Sequence, residues 1–304
     1  MAWSLWIREI ACAGTDASVS RDRNDGSGFP PPRLPSQCRA GNPDRDGILR
    51  LMTAVHNSKR NQRSIIVALL FVALGAVTGV FWTIAYIGII RQCQREKTYG
   101  MPVVALCANA TWEFYWTFVR EPPAAPGGHS TVLAQMTVSF VWFCFDLVII
   151  GQFLRFGHRE FPGLSKAEFF GGSAATLLIT VTVTVLLQNA LGERLQGVAG
   201  TAQNVLMSAL FLAMLSSRHS LRGQSLTIAV NKMIGSAFGC TAIVLGINLY
   251  ETTQRQNTPL LATLTAVVII LDATYVVAVA RMRRSESAPT PVPERQPASL
   301  WEQP

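Results

Sequence analysis

Charged side chains are scarce in this sequence: Asp, Glu, Lys and Arg make up 14% of its 304 residues, against 49% that are hydrophobic. With a mean hydropathy of +0.29, that deficit excludes an ordinary soluble domain and makes the bilayer the expected solvent. Metal-ligand and CxxC spacings are also missing. The six cysteines, Cys12, Cys38, Cys93, Cys107, Cys144 and Cys240, suggest neither a disulfide framework nor a metal site, and those inside apolar segments behave as small hydrophobes. Despite a net charge of +8, no continuous basic stripe is interleaved with aromatics, so nucleic acid is not an expected partner. Nor is a cleavable leader expected. Trp3 to Cys12 holds one basic residue and an interrupting Glu9, without the charged start and long apolar run of a signal peptide.

Apolar length is what the sequence has in abundance. Seven runs recur, approximately Ser64 to Ile90, Pro102 to Val119, Val132 to Leu154, Phe169 to Leu187, Val198 to Leu215, Ser225 to Tyr250 and Pro259 to Ala280. Each approaches or exceeds the length needed to cross a bilayer, about 17–25 residues. They show no two-residue alternation, which favours helices over barrel strands. The expected fold class is all-α, a seven-transmembrane helix bundle over residues 61–284. Residues 1–60 are rich in Gly, Pro, Ser, Asp and Arg between positions 14 and 50, and residues 285–304 carry Pro289, Pro291, Pro293 and Pro297. Both are expected to be disordered tails. Met52, followed by Lys59, Arg60, Arg63 and then the first apolar run, is a candidate start for the functional chain.

Orientation follows from the basic residues, because positively charged loops stay preferentially in the cytoplasm. One side collects Arg91, Arg95 and Lys97, then Arg155, Arg159 and Lys166, then Arg218 and Arg222, and finally Arg281, Arg283 and Arg284. The opposite connections hold Arg120, Arg194 and Arg255. The C-terminus is therefore expected in the cytoplasm. The basic flank of the first run speaks against that assignment.

Four ionisable residues lie within the runs: Glu113, Asp146, Lys232 and Asp272. A charge at bilayer depth costs roughly 2.5 kcal/mol or more and persists where it is paired or functional. At about 1.5 Å of rise per residue, Glu113 lies about 18 Å, and Asp146 and Asp272 about 12 Å, from the cytoplasmic ends of their helices. The three carboxyls are thus candidates to line one chamber. Lys232, one or two turns from the boundary, reads as a snorkelling anchor. Asp146 fits equally a helix-to-helix hydrogen bond. Asn109, one turn before Glu113, is placed to orient that carboxyl or simply to pack between helices.

Aromatic residues crowd these acids: Trp112, Phe114, Tyr115 and Trp116 around Glu113, Trp142, Phe143 and Phe145 before Asp146, and Tyr275 one turn after Asp272. Trp116 also suits an interfacial belt. Aromatic faces stabilise cations while excluding water. Desolvation and a nearby second carboxylate both disfavour the charged form of an acid, so a carboxyl in such a chamber is expected to keep its proton at neutral pH. A proton donor among aromatic walls suits reactions through carbocations, such as acid-initiated cyclisation of a polyene.

The stretch from Lys97 through Tyr99-Gly100-Met101-Pro102 to Asn109-Ala110-Thr111-Trp112-Glu113-Phe114 resembles the signature of the integral-membrane terpene cyclases of fungal meroterpenoid and indole-diterpene biosynthesis and their bacterial relatives. Its most specific part is Asn-x-x-Trp-Glu-Phe. Leu271-Asp272-Ala273-Thr274-Tyr275 is similar to that family's last-helix Asp-x-x-Tyr pattern, and the likeness runs from about residue 65 to 284. The resemblance implies seven helices, no metal or cofactor, and cyclisation of a prenylated aromatic or indole compound by protonation of an epoxide or terminal alkene. It assigns the essential acids to Glu113 and Asp272. Asn109, Trp112, Tyr115, Trp142, Asp146 and Tyr275 are the expected substrate-binding residues. A prenyltransferase, with or without an epoxidase, is the expected neighbour in a pathway. The expected location is the cytoplasmic membrane in a bacterium or the endoplasmic reticulum in a fungus.

Two other classes bury acids in helical bundles. A proton-coupled transporter is expected to show repeat symmetry or helices broken by Gly and Pro in matching halves, and neither is visible. A seven-helix receptor or rhodopsin is the other class, but the last helix has no Lys for a retinal Schiff base, and no receptor-type motif such as Asp-Arg-Tyr ends the third helix.

Overall fold

The computed structural model describes residues 43–120, 129–191, 196–250 and 258–287. Most of these residues are helical, with no strand among them. They form α1 (Pro43–Glu96), α2 (Val103–Phe114), α3 (His129–Phe156), α4 (Lys166–Leu191), α5 (Gln196–Arg218), α6 (Leu226–Tyr250) and α7 (Thr258–Ser287). Each of the seven apolar runs becomes one of these helices. Six of the helices are long and apolar enough to cross a membrane. The seventh, α2, is a 12-residue helix continued by one π turn, Tyr115–Val119. Of the tails expected to be disordered, residues 1–42 and 288–304 lie outside the described residues, while 43–60 and 285–287 lie within α1 and α7.

Local chemistry sets the helix ends. Pro102 precedes α2, where a missing N–H is harmless, and its carbonyl accepts from Leu106 N at 2.9 Å. Ser165 and Glu168 cap α4 reciprocally, Ser165 N donating to Glu168 Oε2 at 2.8 Å and Glu168 N to Ser165 Oγ at 3.2 Å. This is the capping-box arrangement. Lys97 and His219 end α1 and α5 with positive φ of 53° and 48°.

Glycine brings α1 and α6 together. They run antiparallel, and a Cβ on Gly235 would lie 2.6 Å from the Trp82 ring, while one on Gly239 would lie 3.0 Å from Thr78. Small residues one turn apart allow such close approach, a common device for helix packing in lipid. On its other side α1 runs parallel to α3, joined by Trp142 Nε1 donating to Thr83 Oγ1 at 3.2 Å and Gln152 Nε2 to the Ile90 carbonyl at 3.0 Å. Helix α7 packs on α5 and α6, and α2 packs on α3 and α4. Large apolar side chains such as Leu69, Leu178, Leu186 and Ile270 remain exposed on the outside, as a surface solvated by lipid requires.

The basic clusters converge on one end of the bundle. There the loop before α2 meets its neighbours: Thr98 Oγ1 donates to Glu160 at 2.8 Å, and Arg218 donates to the Tyr99 carbonyl at 2.8 Å while lying 3.9 Å over the Tyr99 ring. Gly223 has φ +76°, and a Cβ there would strike the Tyr99 carbonyl at 2.5 Å. A left-handed turn against another backbone requires glycine.

Candidate functional site

The buried polar groups fall into two clusters. In the first, Asp146 from α3 is fully buried. It accepts from Tyr86 OH of α1 at 3.1 Å and from Asn109 Nδ2 of α2 at 2.9 Å. Asn109 Nδ2 also donates to Tyr86 OH at 2.6 Å. Three helices thus share one hydrogen-bonded triangle. One turn along α2, Glu113 is 5% exposed, accepts from the Ser139 hydroxyl of α3 and is an electrostatic neighbour of Asp146. Its Oε2 is buried without a partner. The rings of Trp82, Trp142 and Phe145 surround Tyr86 at 5.9, 6.2 and 5.6 Å between centroids.

The second cluster centres on an ion pair. Lys232 Nζ of α6 lies 2.5 Å from Asp272 Oδ1 of α7, both side chains being 1% exposed. The ammonium also donates to Ser208 Oγ of α5 at 2.8 Å and faces the rings of Trp82 and Phe211 at 5.7 and 5.5 Å. Asp272 Oδ2 has no partner. One turn on, Tyr275 OH donates to Gln224 Oε1 at 2.8 Å and its ring packs on Phe211. Trp82 is the wall common to both clusters, with Tyr86 on one side and Lys232 on the other.

Of the three acids expected to line one chamber, Glu113 has Asp146 beside it and Asp272 is held by Lys232. Three other expectations change. Lys232 does not snorkel: α6 turns it inward, and the carboxylate on α7 is a nearer partner than interfacial water. Asn109 orients Asp146 rather than Glu113, because its amide points across the interface to α3 instead of along its own helix. Trp116 is 3% exposed, lying inside the bundle rather than in a belt, because the π turn swings it inward beside Tyr115. Trp112 is half-buried against Trp116 and Gly200 of α5, Tyr115 is buried, and Trp142 is half-buried beside Tyr86.

Tyr86, Ser139, Ser208 and Gln224 are the site residues that sequence reasoning missed. Tyr86, Ser139 and Ser208 are of types ordinary within helices and Gln224 lies in the turn before α6, so only the tertiary geometry distinguishes them. Among the described residues no group of three or more His, Cys, Asp or Glu is placed to hold a metal ion.

The chain is 32% identical over 166 residues to the Pyr4-family terpene cyclase mfmH of Annulohypoxylon moriforme, a match covering 53% of this chain and 64% of that one, just under two thirds of its length. It is 24% identical over 220 residues to asnovolin H synthase nvfL of Aspergillus novofumigatus, covering 70% and 86% of the two chains. To the terpene cyclase pyr4 of Aspergillus fumigatus it is 26% identical over 225 residues, covering 68% and 85%. No solved structure matches. Residues 57–285 match the model of the family described as Pyr4-like transmembrane terpene cyclases. That span takes in both buried clusters and every helix from the apolar part of α1 through α7, and the chain belongs to the Pyr4-like transmembrane terpene cyclases.

Proposed function

We propose that this chain is a membrane-embedded cyclase that starts carbocation cyclisation of a prenylated aromatic or indole substrate, with Glu113 as the proton donor. The observation that carries this reading is the contrast in charge pairing. Asp272 has a cation at 2.5 Å, whereas Glu113 sits beside a second carboxyl, with Oε2 unpartnered and no ammonium or guanidinium pairing with it among the described residues. Two unpaired negative charges side by side in an apolar interior are costly, so the proton is assigned to Glu113.

In this mechanism the Glu113 proton passes to the epoxide oxygen, whose C–O bond breaks, or to the terminal alkene carbon, whose π pair forms the new C–H bond. Successive alkene π pairs close rings onto the resulting cation. The free oxygen of the ion-paired Asp272 carboxylate takes up the last proton and leaves the product neutral; Asp272 then releases that proton and Glu113 regains one before the next turnover. Trp82, Tyr86, Trp142 and Phe145 offer their ring faces to the cation, while Asn109 and Asp146 hold Tyr86 in place. In the same reading α2 with its π turn completes a seven-helix bundle, and the basic end with the C-terminus faces the cytoplasm. The fungal relatives favour the endoplasmic reticulum.

The test replaces Glu113→Gln and Asp272→Asn separately, with membrane insertion confirmed, and measures cyclised product from a farnesylated epoxide substrate. Loss of a general acid is expected to lower turnover by about 10²–10⁴-fold. Full activity in both variants would defeat the assignment.

A further inference from the structure

At the charged end of the bundle, where α1 and α3 finish side by side, a groove of about 740 Å³ opens between them. None of its lining residues belongs to either acid cluster. Ile90, Val148 and Gly151 line it together with Arg91, Arg95 and Arg155. The three arginines are exposed. Arg91 and Arg95 stand one turn apart on the same face of α1, where like charges repel unless a counter-ion lies between them.

Among the described residues no carboxylate pairs with them. Glu96 accepts from Gln92 Nε2 and Gly223 N, both at 2.6 Å, and Glu160 accepts from Thr98 at 2.8 Å and pairs with Arg222 at 3.2 Å. Two neighbouring arginines at this end are engaged, Arg218 with the Tyr99 and Arg222 carbonyls and Arg222 with Glu160. Arg155 lies 5.3 Å from the Phe156 ring, which leaves its charge uncompensated. Deeper along the groove the lining turns apolar. Val148 is 47% exposed, and a Cβ on Gly151 would meet nothing within 4 Å.

We propose that this groove seats an anionic glycerophospholipid, its phosphate between the three guanidiniums and an acyl chain lying along Val148 and over Gly151. Arg suits phosphate through its planar fork of donors, and basic pockets between membrane helices bind anionic headgroups. A free anion satisfies the rim and leaves the apolar floor bare; a phospholipid matches both.

The experiment places the purified full chain in phosphatidylcholine nanodiscs with or without phosphatidylinositol. It measures lipid retention by native mass spectrometry and the thermal midpoint. The wild type is expected to retain phosphatidylinositol and to gain stability from it. In the triple variant Arg91→Gln, Arg95→Gln, Arg155→Gln, retention is expected to fall about 100-fold, from three guanidiniums at about 1 kcal/mol each and about 1.4 kcal/mol per tenfold. Gly151→Trp fills the floor without changing charge and should also release the lipid. Arg281→Gln with Arg284→Gln should not. The proposal is overturned if Gly151→Trp retains the lipid as the wild type does, or if the Arg281 and Arg284 changes release it as well as the triple variant. It also fails if inorganic phosphate stabilises the chain as much as the lipid, or if the wild type shows no preference for phosphatidylinositol.

Discussion

Changing Lys232→Met removes the ammonium that neutralises Asp272 and leaves an apolar side chain of similar length. Both partners are 1% exposed and lie 2.5 Å apart, so the remaining carboxylate has little water to replace the lost cation, and Ser208 Oγ loses its donor. Removing one member of a buried pair costs about 3–5 kcal/mol. For a chain of this size each kcal/mol moves the midpoint by about 2–4 °C, so a fall of about 6–20 °C is expected in detergent or nanodiscs, read by intrinsic fluorescence. The double variant Lys232→Met, Asp272→Asn carries no stranded charge and should regain most of that loss. A double-mutant cycle gives the coupling directly. A single variant as stable as the wild type, or a double variant no better than the single, would refute the pairing.

Tyr86→Phe deletes the hydroxyl that donates to Asp146 and accepts from Asn109. Leaving buried polar groups unsatisfied costs about 1–3 kcal/mol, and cyclase turnover should fall with little change in substrate affinity, as a kcat-against-KM comparison would show. Gly235→Val pushes a branched side chain into Trp82, where even a Cβ lies at 2.6 Å. Overpacking costs about 1–3 kcal/mol, visible as a lower thermal midpoint, whereas Gly151→Ala, with open space around it, should leave stability unchanged. Gly223→Ala strains a left-handed turn against the Tyr99 carbonyl and should destabilise the basic end by about 1 kcal/mol or more, detectable as faster amide exchange around Tyr99.

The helices were legible because apolar length is a one-dimensional property: the run from Val132 to Leu154 lies inside α3 at His129–Phe156. The short α2 was harder, since a π turn leaves no mark in hydropathy. Glu113, Asp146 and Asp272 stood out by the cost of charge in lipid, and all three are buried. Their partners did not. Depth along a helix can be counted from the sequence, but the direction a side chain faces depends on packing against helices distant in the chain. Lys232 illustrates this, because distance to the boundary suggested snorkelling, while rotation about α6 aims it at α7. Tyr86 lies 60 residues from Asp146, and no local pattern links them.

The π turn at Tyr115–Val119 fixes the register of the chain directly after Glu113. An α-helix advances about 100° per residue, at 3.6 residues per turn, and a π turn accommodates one residue more than α geometry would. Deleting a single residue there would re-aim every side chain downstream to Arg120 while leaving the carboxyl untouched. Substrate selectivity in this part of the bundle can therefore shift through insertion or deletion as readily as through substitution, and alignments that slide by one position across this turn will pair inward-facing residues with outward-facing ones.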